Sequence, residues 1–177
     1  MKIENELWIF ALDFYAQPKV SEVLLVLQDE HSCRINQLLF ALWLASINRR
    51  IISLDSASER WAGSITRELR VLRRAVKGQM QASEQLESTL RTCYEKLLSA
   101  ELAAEQVELA HLYSQYLTCS EPVFINTDYT QLVVENFNYC KAVRMHSHTG
   151  NAGDKYWKEL ETRAVQYLTQ RNGVSSG

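Results

Sequence analysis

Apolar side chains return every three or four positions along nearly all of this 177-residue chain, and only 6 Gly and 2 Pro interrupt them. That spacing follows the 3.6-residue turn of an α-helix rather than the alternation of a strand. The scarcity of Gly and Pro also argues against a turn-rich all-β protein. With 46% hydrophobic and 23% charged residues the chain can bury a core without a metal or disulfide staple. The sequence therefore predicts an all-α bundle of six to seven helices, read as a single domain over 1–177. Within it lie an N-terminal helical core over 1–50, a long antiparallel hairpin over 56–118 and a C-terminal helix pair over 127–172.

In the first helix Leu7, Phe10, Ala11 and Phe14 form one stripe, widened by Trp8, Leu12 and Tyr15. Pro18 stops it, and its fixed φ suits the first turn of the next helix, which turns Val20, Val23, Leu24 and Leu27 inward. Ile35 to Ile47 is apolar on almost every side, as a central helix surrounded by others must be. It is shorter than the roughly 20 residues needed to cross a bilayer. Ser56 and Glu59 have the spacing of a capping box, and Gly78 is placed as a left-handed cap ending the fourth helix.

From Ser83 to Leu117 the residues Leu86, Leu90, Cys93, Leu97, Ala100, Ala104, Val107 and His111 alternate steps of four and three. This is the seam of a long helix packed lengthwise on another, with a break near Ser99 allowed for. Cys119 to Asn126, with Pro122, reads as a loop, and Asp128 to Met145 as a helix. The segment His146–Asp154 reads as a linker. Asp154 opens a last helix carrying Trp157, Leu160, Ala164 and Leu168, ended by Asn172 and Gly173.

Charge comes in blocks. Residues 56–80 hold 6 basic and 2 acidic side chains, whereas residues 81–125 hold 2 basic and 7 acidic ones. Arg67, Arg70, Arg74 and Lys77 recur at helical spacing beside Arg73, a stripe able to meet phosphates. The competing reading pairs this basic helix with the acidic one beside it across the hairpin. Local pairing is the favoured reading, since no aromatic platform or nucleic-acid motif accompanies the stripe.

No spacing demands an enzyme: there is no G-x-S-x-G, P-loop, dinucleotide fingerprint or H-E-x-x-H, and no catalytic residue, metal or cofactor is assigned. His146 and His148 beside Asp154 lack a third ligand of recognisable spacing. Cys33 near His31 suggests a thiolate–imidazole pair with no orienting third group. The acids at the N-terminus oppose a signal peptide, and four widely spaced cysteines suit a reducing compartment, so the expected location is cytoplasmic.

Between two apolar helices lie Gln28, Asp29, His31 and Asn36, with Arg34 close by and Trp43 further along. Polar groups at such a junction either line a small binding crevice or cap and fix the helices, Asp29 and Ser32 being the candidate caps. The N-terminal pattern Trp8, Phe10-Ala11-Leu12, Tyr15, Pro18, Val20, Leu27-Gln28-Asp29, Asn36, Leu38-Leu39 and Trp43-Leu44 resembles domain-of-unknown-function family 2390, short helical proteobacterial proteins. The resemblance covers about the first 50 residues and fades through the long helices. It implies a bacterial helical protein and brings no activity, cofactor or site residue. Where that family usually has Gly after the histidine, this chain has Ser32.

Three functions fit this sequence. The leading one is a non-enzymatic interaction or adaptor protein using helix surfaces, with a protein partner or a second copy. The others are a small-ligand binder or enzyme around Gln28, Asp29, His31, Asn36 and Trp43, and RNA or DNA binding through Arg67, Arg70, Arg73, Arg74 and Lys77.

Overall fold

A computed structural model describes residues 2–54, 56–80, 86–124, 129–143 and 154–174. Its elements are α1 (Glu6–Tyr15), α2 (Val20–His31), α3 (Ile35–Ser46), β1 (Arg49–Ile51), α4 (Ser56–Trp61), a π-helical turn (Ala62–Thr66), α5 (Arg67–Met80), α6 (Glu87–Cys119), β2 (Ser120–Pro122), α7 (Tyr129–Ala142) and α8 (Asp154–Val174). Counting the unbroken run from Ser56 to Met80 as one rod, the described residues form seven helices, so the fold is an all-α bundle. The chain divides into two compact units, one of Met1–Ile3 with Asp55–Ser114 and the other of Glu4–Leu54 with Gln115–Gly177.

The second of these units is built around α3. Every residue from Asn36 to Ala45 is buried, and α3 packs on α1 and α7 while α2 and α7 each pack on α8. Asn5 starts α1, its side chain accepting the Trp8 amide at 3.0 Å. The predicted stripes hold: Leu7, Phe10, Ala11 and Phe14 are buried from α1, as are Val20, Val23, Leu24 and Leu27 from α2. Phe10 and Phe14 meet the ring of Tyr167 on α8, at 5.5 and 5.2 Å between centroids.

This unit also corrects four expectations. Pro18 lies in the turn before Lys19, so α2 starts at Val20 with no proline in its first turn. Ser32 does not cap α3; it closes α2 in the left-handed region at φ 53°, and Arg34 precedes α3 without a side-chain cap. Pro122 belongs to a strand rather than a loop: β1 and β2 pair antiparallel with Arg49 opposite Pro122 and Ile51 opposite Ser120. At the C-terminus the helix does not stop at Asn172 and Gly173 but continues to Val174.

The ribbon is pinned from α7 by Asn136, which is fully buried. Its amide group donates to the carbonyls of Ala41 and Arg49, each at 3.0 Å, and its oxygen accepts the Ile51 amide at 2.9 Å. One side chain thus satisfies α3 and β1 together, as buried backbone groups require.

The other unit holds α4, the π turn, α5 and α6 as far as Ser114. Helix α6 runs unbroken past Ser99 for 33 residues, and α5 passes straight through Gly78, whose φ is not positive. The order of contacts makes α5 and α6 antiparallel: Thr66 meets Glu108, Arg70 meets Glu105 and Glu101, and Arg73 meets Glu101 and Tyr94.

Candidate functional site in the helical hairpin

The seam of α6 keeps the expected 3.5-residue period but in a different register. Its inward positions are Leu90, Tyr94, Leu97, Glu101, Ala104, Glu108 and His111, all half-buried or buried, whereas Leu86, Cys93 and Ala100 are exposed. Apolar spacing alone pointed to Cys93 and Ala100 because it gives no weight to a glutamate. What selects Glu101 is the pair of arginines opposite, for a buried carboxylate must find a charged partner.

Arg70 and Arg73 supply it. Arg70 Nε donates to Glu101 Oε1 at 2.8 Å and its Nη2 to Glu105 Oε1 at 2.6 Å. Arg73 donates Nε to the other Glu101 oxygen at 2.5 Å and stacks its guanidinium over Tyr94. Burial pushes the Glu101 carboxyl upward, but the hydrogen bonds from Arg73 and Arg70 outweigh it and leave it below the usual carboxylate range. Glu105 goes the other way: burial dominates, the Glu101 charge adds to it, and the Arg70 guanidinium only partly offsets them. The bond to Glu101 in turn holds Arg73 above its ordinary value.

No residue pattern announces the π turn at Ala62–Thr66. Such a turn carries an extra residue and resets the helical phase, and it is often found at functional positions. Here it places Trp61 over α6, the indole Nε1 donating to the Ala104 carbonyl at 2.9 Å with its ring 6.1 Å from His111. Thr66, at the end of the turn, donates to Glu108 at 3.4 Å.

The consequence is an amphipathic helix whose inward side is shared by charge and apolar surface: Leu69, Arg70, Arg73 and Val76 are half-buried, whereas Val71 and Leu72 are exposed. At 100° per residue Arg70, Arg73 and Lys77 cluster on one side of α5, and Leu69, Leu72 and Val76 lie on the flank adjoining it. Leu72 and Val71 are each 54% exposed, and α5 has no buried residue. Because the helices are antiparallel, the Arg70–Glu105 pair closes one side of the hairpin. The other flank then carries the exposed Leu72 of α5 and the exposed Cys93 and Ala100 of α6, with Val76 and Leu97 half-buried at its inner edge. An open recess lined by Ser88, Thr89, Thr92, Cys93, Lys96 and Leu97 lies along that side.

The remaining sequence candidates lie elsewhere. Arg67 is exposed and pairs with Glu68, and Arg74 and Lys77 are exposed, so the five basic residues do not form one outward ridge. Gln28 and the exposed Asp29 bond each other at 3.5 Å on the surface, and His31 is half-buried 6.4 Å from the Tyr156 ring. Asn36 is buried at the start of α3, while Trp43, two turns further on, packs against Phe40 and Tyr116. Gln28, Asp29 and His31 thus lie at the end of α2, while Asn36 and Trp43 stand about two turns apart on α3. The Cys33 thiol donates to the His31 carbonyl at 3.7 Å, not to its imidazole.

Asp29 and Glu30 are both exposed, and no cluster of three ligating side chains able to hold a metal occurs among the described residues. His146 and His148 lie outside the described residues, as does the Ser56 side chain. No helix among the described residues is long and apolar enough to cross a membrane.

No curated protein and no solved structure matches this chain. Residues 6–112 do match a family, well beyond the first 50 residues that carried the resemblance and through most of α6. The chain belongs to the family described as "Protein of unknown function (DUF2390)".

Proposed function

We propose that this is a non-enzymatic interaction protein whose working surface is the apolar side of the α5–α6 hairpin. The observation that carries the reading is the use α5 makes of its inward side: Arg70 and Arg73 serve Glu101 and Glu105 there, and Val71 and Leu72 meet water. Val71, Leu72 and Leu86 leave apolar surface exposed while Arg70 and Arg73 turn inward, and exposed apolar surface is where a partner can sit. The nucleic-acid alternative is weakened because Arg70 and Arg73, its central residues, are already neutralised. The ligand alternative is weakened by the dispersal of Gln28, Asp29, His31, Asn36 and Trp43. A cytoplasmic setting, suited to the four cysteines, is part of the same proposal.

Cys93 provides the test, because it lies on this side and is exposed whereas Cys33, Cys119 and Cys140 are buried. In fresh extract of cells expressing the full chain, a maleimide should modify Cys93 several-fold more slowly than it modifies a free thiol. Modification at the free-thiol rate, in extract as in denaturant, would overturn the reading.

A further inference from the structure

We propose that the outer part of the hairpin, α5 together with residues 87–100 of α6, is an arm that is helical only while it is clasped. It opens and melts as one unit, released when Glu101 loses its hold on Arg70 and Arg73, while α3 and the helices around it stay folded. The proposal goes beyond the interaction surface and needs no partner upon it. Burial draws the boundary of the arm. Ser58, Ala62 and Thr66 are buried on the way into α5, and Glu101, Ala104 and Glu108 are buried on α6. Between them, none of the described residues from 67 to 100 is buried. The inward Leu69, Val76, Leu90, Tyr94 and Leu97 are each only half-buried.

A 14-residue helix standing alone is marginal in water, and α5 is a poor one. Its cations Arg67, Arg70, Arg73, Arg74 and Lys77 adjoin at spacings of three and four, Glu68 is its one acid, and Gly78 lies inside it. Like charges at those spacings oppose the helix, and so does an interior glycine. The carboxylates of α6 offset that repulsion. Glu101 accepts Arg70 Nε at 2.8 Å and Arg73 Nε at 2.5 Å, and Glu105 accepts Arg70 Nη2 at 2.6 Å. Without this clasp α5 loses its docking and its charge balance together. Residues 87–100 then lose the helix that half-covers them, so the two segments melt as one. Such an order–disorder change is a common form of molecular switch, and here the Glu101 charge is the latch.

Hydrogen exchange of the full chain at neutral pH, followed by mass spectrometry of its peptides, tests this. Peptides from 67–80 and 87–100 should exchange together, at least about a hundredfold faster than those from α3 and α7 once intrinsic rates are removed. Glu101→Gln should speed the two arm segments at least about tenfold further and leave α3 and α7 within about threefold of their parent rates. Gly78→Ala is a second test, away from the clasp, because a methyl group added at Gly78 meets nothing within 4 Å. It strengthens α5 as a helix, so it should slow exchange about two- to fivefold in α5 and equally in residues 87–100, which it does not touch.

Arm segments that exchange as slowly as α3 and α7 would overturn the proposal, since the hairpin would then open only with the whole chain. A Glu101→Gln chain in which α3 and α7 speed up as much as the arm would overturn Glu101 as a local latch. A Gly78→Ala effect confined to α5 would overturn the single unit.

Discussion

Arg70 Nε and Glu101 Oε1 stand 2.8 Å apart across the α5–α6 hairpin, with the carboxylate side chain only 6% exposed and the guanidinium still 20% exposed. The glutamate occupies an inward heptad position that an apolar residue ordinarily holds. Its partner reaches it from a helix with no buried residue of its own. The hairpin is therefore held by charge where most are held by leucine, and its stability should respond to pH and to loss of single charges.

Glu101→Gln and Glu105→Gln should part company. The first leaves Arg70 and Arg73 without their shared partner in a water-poor place, a change that costs about 3–5 kcal/mol when buried pairs are broken. The second removes a carboxylate that burial already holds above its usual range, so it should alter stability by less than about 1 kcal/mol. Urea denaturation of the two variants at neutral pH measures the difference. Equal losses would contradict the unequal environments of the two carboxylates.

Acid should separate them in the same sense. Glu101 titrates in the folded chain below the 4.5 of an unperturbed carboxyl, so its contribution is complete above that pH and fades as pH falls through the lower folded value. Glu105 titrates above 4.5, so acidification there favours the fold until the unfolded carboxyl is protonated as well. Glu101→Gln should flatten the acid limb of a stability-against-pH curve, and Glu105→Gln should steepen it. Denaturation midpoints taken between pH 3 and pH 7 check both.

How far these features could be read in the sequence depends on whether the signal was local. The rods were legible because their period repeats every turn, and α3 was legible as the central helix because it has almost no polar side. The ribbon was not, since strands of three residues are too short to alternate, and their pairing joins Arg49 to Pro122 across the chain. The seam of α6 was legible in period but not in register. Which side of a helix faces inward depends on its neighbour, and Arg70 and Arg73 chose Glu101 over Ala100. The π turn has no residue signature at all. That α5 and α6 attract was visible in their opposite charge, but the exposed apolar side that follows from it was not.

Asn136 should be among the least replaceable residues. Asn136→Leu keeps the volume but strands the Ile51 amide and the Arg49 carbonyl, and takes from the Ala41 carbonyl its second bond while leaving the one within α3. At about 1–3 kcal/mol for each stranded group, relieved in part by small shifts of β1, the variant should lose about 3 kcal/mol or more. Chemical denaturation gives the loss. Amide exchange at Ile51 approaching the rate of an open peptide would show that it arises at the ribbon.

Ser32 offers the opposite result. It ends α2 at φ 53° and ψ 25°, a conformation that costs an L-residue about 1 kcal/mol and glycine almost nothing. Its amide is not to be disturbed, because it donates to the Leu27 carbonyl and so closes the helix, but its side chain is exposed and dispensable. Glycine gives back part of the gain through the greater freedom of the unfolded chain, which leaves Ser32→Gly more stable by about 0.5 kcal/mol. Ser32→Val should move the other way by about 1 kcal/mol, since a β-branched side chain tolerates positive φ worst. Thermal or urea midpoints of the pair, compared with the parent chain, decide the matter. A glycine variant less stable than the serine would mean that the turn between α2 and α3 is not left-handed at this residue.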